Sequence, residues 1–175
     1  MLIKPTHASV RGGGGCPHRP SPRARGSWEC TEAGRCLTRA RELCDETTEE
    51  SGLVAVMLAL SAEVSCRLHQ GTQAADLADR ALSLISLTSS PARRVKALNT
   101  IGRLLMLKEE YASALDVHTR ARELAGKIGY GPEEARALSG MSQAMAALGD
   151  ERAAASCESA ARDLFAAMGI AQGQR

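Results

Sequence analysis

Aromatic residues are almost missing from this chain: one tryptophan, two tyrosines and one phenylalanine among 175 residues, or 2%. Hydrophobic residues nevertheless make up 44%. The core must therefore be assembled from Ala, Leu, Val, Ile and Met. That suits closely approaching helices and argues against a β-sandwich or barrel, which draws on aromatic and β-branched residues. Proline is scarce beyond position 28, where only Pro91 and Pro132 occur. Long apolar runs are missing too. The cleanest, LVAVMLAL over 53–60, falls far short of the ~20 residues that a membrane span needs. No apolar stretch follows the first charge, as a secretory signal would require. The expected location is the cytoplasm, with cysteines reduced.

Motifs that carry chemistry are equally sparse. The six cysteines (16, 30, 36, 44, 66 and 157) form no C-x-x-C pair and no zinc-like spacing. No G-x-x-x-x-G-K-[ST] phosphate loop is present, and the glycine run 12–15 lacks the Lys-Ser/Thr, the strand and the helix that would position its amides. Cys16-Pro17-His18 offers two ligands or a Cys–His pair in a setting with no second shell. Cys30, Cys36 and Cys44, spaced six and eight apart, share no metal-binding face of a helix and read as core or edge packing. His69 and His118 are single histidines; His118 falls between Ala114 and Ala121, where a packed or partly exposed ring is expected and pH sensing is the lesser reading. No nucleophile, acid and base combine at useful spacing. The expectation is a non-enzyme with no cofactor and no metal.

Charge divides the chain. Residues 1–28 hold Lys4, Arg11, Arg19, Arg23 and Arg25 and no acid. Those five taken from 22 leave 17 basic side chains against 20 acidic ones in 29–175. The same N-terminal stretch contains four of the six prolines and five glycines, too little apolar surface to offset the entropy of ordering it. It is expected to be a disordered basic tail, as is the short C-terminus 171–175. The tail could touch phosphates through charge alone, whereas a nucleic-acid face on the acidic remainder is not favoured. Residues 29–170 are expected to form one helical domain.

Within that domain the pattern repeats. Ala74 and Ala81 are seven apart, and the pair recurs at a constant interval of forty as Ala114 and Ala121, then as Ala154 and Ala161. Ala33 and Ala40 stand a further forty-one positions upstream. Leu98, Ile101, Gly102 and Leu105 map onto Leu138, Met141, Ser142 and Met145, and Pro91 maps onto Pro132. Apolar spacing and breakers place helices near 30–47, 51–69, 73–88, 91–107, 110–128, 132–147 and 150–168. Ser89-Ser90 is expected to cap the fourth, each proline to open a helix, and Gly129 and Gly169 to end helices as left-handed caps. Gly149-Asp150 reads as a tight turn. The 51–88 copy is degenerate, with Ser61, Ala62 and Ser65 at the equivalent positions and a turn shortened by about two positions around Gly71.

This spacing is similar to the tetratricopeptide repeat, a helix–turn–helix unit. The matching small and large positions are Leu98, Ile101, Gly102, Leu105, Tyr111, Ala114 and Ala121 in one copy. In the next they are Leu138, Met141, Ser142, Met145, Ala154 and Ala161. Residues 97–138 and 133–170 further resemble the C-terminal repeat region of actinobacterial SARP-type (antibiotic regulatory protein) activators. That resemblance implies an all-α solenoid of antiparallel hairpins, with the first helix of each pair lining an inner groove that takes peptides or helices. By position, the partner-binding face would carry Glu63 (with Ala59), Lys96, Asn99, Arg103, Arg136, Ser139 and Gln143. Lys96, Arg103 and Arg136 would make it locally positive. The implied function is a non-catalytic protein-interaction or sensor module derived from a transcriptional regulator. The alternatives are a nucleic-acid contact through the Arg-rich tail and a structural self-assembling repeat. Leu37, Leu43 and Cys44 on the first helix, which lacks a hairpin partner, would then invite a homodimer.

Overall fold

The computed structural model describes residues 22–43 and 51–169, with side chains described over 29–40 and 51–169. These residues form α1 (Pro22–Leu43), α2 (Ser51–Arg67), α3 (Gly71–Leu87), α4 (Pro91–Leu107), α5 (Tyr111–Lys127), α6 (Gly131–Ala147) and α7 (Glu151–Ala167). Among the described residues there is no strand, and no helix is long and apolar enough to cross a membrane. From α2 onward the helices are equal in length and joined by connections of three, so they start at 51, 71, 91, 111, 131 and 151.

The turns explain this regularity. At four of them the middle residue adopts a left-handed conformation and its amide bonds back into the preceding helix. His69, Glu109, Gly129 and Gly149 donate to the carbonyls of Cys66, Met106, Gly126 and Ala146. The next residue reaches one turn deeper: Gln70 to Ser65, Glu110 to Leu105, Tyr130 to Ala125 and Asp150 to Met145. This paired pattern satisfies the orphan carbonyls of a helix end. Gly169 also has positive φ, at 69°. Glycine was the readable signal at 129, 149 and 169. His69 and Glu109, both at φ 61°, do the same job without it, at a steric cost of about 1–2 kcal/mol. Replacing the exposed Glu109 with glycine is expected to stabilise the fold by about 1 kcal/mol, measurable as a higher urea midpoint with unchanged slope.

Several boundaries differ from expectation. The α1 helix is described from Pro22, so residues 22–28 of the expected tail are helical; Arg23, Ala24 and Arg25 are good helix formers. It is described through Leu43, and residues 1–21, 44–50 and 170–175, with the remainder of the expected 30–47 span, lie outside the described residues. The turn before Gly71 is not shorter than the others: Leu68, His69 and Gln70 make a connection of the same length. Ser90 is the residue before α4, but its hydroxyl makes no capping hydrogen bond. Asp150 does cap α7, accepting from the Ala153 amide at 3.0 Å. Pro91 and Pro132 each stand in a first helical turn.

Such short connections set up the antiparallel hairpins α2/α3, α4/α5 and α6/α7. Beyond these pairs, α2 packs on α4, α4 on α6 and α5 on α6, whereas α3 barely touches α4. The connection between those two helices also lacks the left-handed residue, because Thr88 is extended at ψ 123°. The core is alanine-rich, as the composition requires. Ala74, Ala81, Ala114, Ala121, Ala154 and Ala161 are all buried, together with Leu58, Leu98, Ile101 and Leu104. Among the described residues the α1 helix rests on α2 alone. There the register persists, but among the described residues Ala33 is exposed and Ala40 half-buried. Leu37 is half-buried, while the Leu43 side chain and Cys44 lie outside the described residues.

Candidate partner-binding face

Positions at the same offset in α2, α4 and α6 share a register, so Glu63, Arg103 and Gln143 are equivalents, as are Ala59, Asn99 and Ser139. The structure brings the first set partly together. Arg103 donates to the Glu63 carboxylate through Nη2 at 3.0 Å and Nε at 3.3 Å, joining α4 to α2. Glu63 also accepts from Arg67 at 3.0 Å. Arg103 further reaches the Thr100 hydroxyl at 3.3 Å. Arg103 and Arg67 are well exposed, and such pairs contribute about 0–1 kcal/mol each. They orient side chains more than they hold helices.

Around Asn99 the geometry departs from the sequence reading. Asn99 and Ala59 are buried, so neither offers a side chain to an incoming partner. The Asn99 amide nitrogen donates to the backbone carbonyl of Glu133 at 3.0 Å and to its carboxylate at 2.9 Å. Glu133 is itself buried and is ion-paired with Arg136, whose side chain is exposed. Lys96 is exposed and holds its ammonium 5.7 Å from the centroid of the Tyr130 ring, a cation–π contact. Ser139 is half-buried and Gln143 exposed.

The positive face expected from Lys96, Arg103 and Arg136 is therefore tempered. Glu63 neutralises part of Arg103 and Arg67, and Glu133 faces Arg136. Four cations stand against two carboxylates across this surface, leaving it mildly positive. Glu133 escaped the sequence reading because a glutamate in the first turn of a helix is ordinarily a solvated partner of the helix dipole. Asn99 of the neighbouring α4 holds it in the interior.

The second residue that sequence reasoning underrated is His118. It is 1% exposed, on α5, with Nδ1 3.4 Å from the Asn99 carbonyl oxygen. Its ring fills a notch between two glycines. A Cβ added to Gly102 of α4 would lie 2.5 Å from Cε1 and Nε2, and one added to Gly140 of α6 closer still. Burial first, and the positive charge of Arg103 second, lower its pKa from 6.5 to about 4. The available signal was the pair of interior helical glycines, 102 and 140, each costing about 1 kcal/mol against alanine unless packing requires it.

The four described cysteines stand apart from one another as free thiols. Cys30, Cys66 and Cys157 are half-buried free thiols and Cys36 is exposed, a departure from the packing expected of it. Cys157 Sγ lies 3.8 Å from Met145 Sδ. Cys16, His18, Cys44 and the glycine run 12–15 lie outside the described residues. Among the described residues no group of three or more His, Cys, Asp or Glu side chains is placed to hold a metal ion. A groove of about 450 Å³ runs between α1 and α3 above α2, lined by Gly34, Thr38, Ser65, Leu68, Gln73 and Leu77 among others. No family model matches the chain, and no curated protein matches it.

Proposed function

We propose that this chain is a non-catalytic protein-interaction or sensor module of the tetratricopeptide kind, working in the cytoplasm and derived from a SARP-like transcriptional regulator. One observation carries the reading: six helices of equal length follow one another at constant spacing, with buried alanines at the same offsets in each hairpin. A repeat of that regularity builds extended surfaces from equivalent positions on successive helices. The surface of interest is the one shared by α2, α4 and α6, which touch in that order. Its accessible side chains are Lys96, Arg103, Arg136 and Gln143, with Glu63 and Ser139 half-buried beside them. A protein or peptide segment captured there would set the curvature or assembly of the array. Asn99 belongs beneath that surface, as a positioning residue for Glu133 and Arg136.

Site-specific photocrosslinking in the cells that make the protein tests this. A photoreactive residue at Gln143 is expected to capture a discrete protein partner, while one at Asp116, exposed on α5, captures none. Equal capture from both positions, or none from either, counts against the interaction face. Adducts to a second copy would favour the self-assembling alternative, and adducts to nucleic acid the alternative based on the tail.

A further inference from the structure

The His118 ring sits at the joint between the hairpin α4/α5 and the hairpin α6/α7, because Gly102 belongs to the first and Gly140 to the second. Among the described residues α5 packs only on α4 and α6. From α4 the ring faces Asn99 and Arg103; from α6, by way of Asn99, it faces Glu133 and Arg136. Glu63 of α2 reaches this group only through its bond to Arg103. The hydrogen bonds fix the proton's position. The Asn99 amide nitrogen serves Glu133 twice, so its carbonyl oxygen points at His118 and Nδ1 must be the donor. Nε2 then carries no proton, and it is buried against the two glycines with no hydrogen-bond partner among the described residues.

That site has no place for a second proton. An N–H on Nε2 would point into glycine backbone with no acceptor, and the new charge would stand near Arg103. Neither nearby anion is free to answer it: Glu133 is already held by Asn99 and Arg136, and Glu63 by Arg103 and Arg67. We propose that His118 is an acid-operated latch: while neutral it locks the α6/α7 hairpin onto α4/α5, and on taking up a proton it releases that joint. This device is independent of what the α2/α4/α6 face binds.

The direction with pH follows from the ring's affinity for protons. In the closed joint the pKa is held down at about 4, and in the opened joint it returns toward 6.5. Between those values the open form binds more protons, so closure is fully favoured above pH 6.5 and weakens as the pH falls toward 4. The open population is expected to rise about 100-fold between pH 7.5 and pH 4.

Amide hydrogen exchange on the full chain at these two pH values, corrected for intrinsic exchange rates, tests the latch. Protection in α6 and α7 should fall about 100-fold while α2 and α3 lose far less, and His118→Gln should remove most of the difference. Uniform loss across all helices, or the same loss in His118→Gln, would overturn the proposal. If that variant fails to fold, an NMR titration of the wild-type imidazole decides instead. A ring that titrates near pH 6.5 while α6 and α7 stay protected is incompatible with a latch, whereas one that titrates together with their loss of protection supports it.

Discussion

Gly140→Ala is expected to destabilise the protein by about 1–3 kcal/mol, and the same substitution is expected to become stabilising once His118 is truncated to alanine. The added methyl would overlap the His118 ring, which also abuts Gly102 from the opposite hairpin. Neither backbone can retreat without separating α5 from α6, so the ring or the helix must move. With His118→Ala the notch is empty, and the ordinary preference for alanine over glycine in a helix interior, about 1 kcal/mol, takes over. The two effects differ in sign, which a general intolerance at position 140 would not produce. Chemical denaturation of the wild type, the two single variants and the double variant measures the coupling directly. A coupling near zero would mean that the glycine is there for another reason.

Asn99→Asp exchanges an NH2 group for an oxygen and is expected to cost about 3–5 kcal/mol at neutral pH. The Asn99 nitrogen lies 2.9 Å from the Glu133 carboxylate and 3.0 Å from its backbone carbonyl. An aspartate there would set two carboxylates face to face in the interior and turn two donated bonds into repulsions. The pH response should invert as well. Protonating one of the two carboxyls restores a donor, so the variant gains stability as the pH falls from 7 toward 4. Over the same interval the wild type loses stability as His118 is forced to take up a proton. Thermal unfolding at pH 7 and pH 4.5 gives both signs. A variant as stable as the wild type at pH 7 would mean that Glu133 is solvated and Asn99 is not its partner.

Helix ends can be read from the chain because they are decided by residues only a few positions apart. Pro91 and Pro132 mark two starts, and Gly129, Gly149 and Gly169 mark three ends with positive φ. The recurring alanine pairs are legible too, because they return at a constant interval of forty and all six are buried. His69 and Glu109 were missed because nothing in their side chains announces a left-handed backbone. The bonds of Gln70 to Ser65 and Glu110 to Leu105 close the same turn without a glycine.

What lies inside could not be read the same way. Asn99 and Arg103 are one turn apart on α4 and look alike as polar positions, yet Asn99 is buried and Arg103 exposed. The difference comes from α6, whose Glu133 meets Asn99 across two helices' length of chain. The slight packing of α3 on α4, against the close packing of α5 on α6, has the same character. Short-range backbone preferences and apolar spacing were enough to set the six helices α2 to α7, their constant length and the alanine register. They could not set the meeting of His118, Asn99 and Glu133 in one buried polar group, which belongs to the packed structure. Burial depends on which helix covers a position, and the covering helix is one or two elements away along the chain, before it or after it.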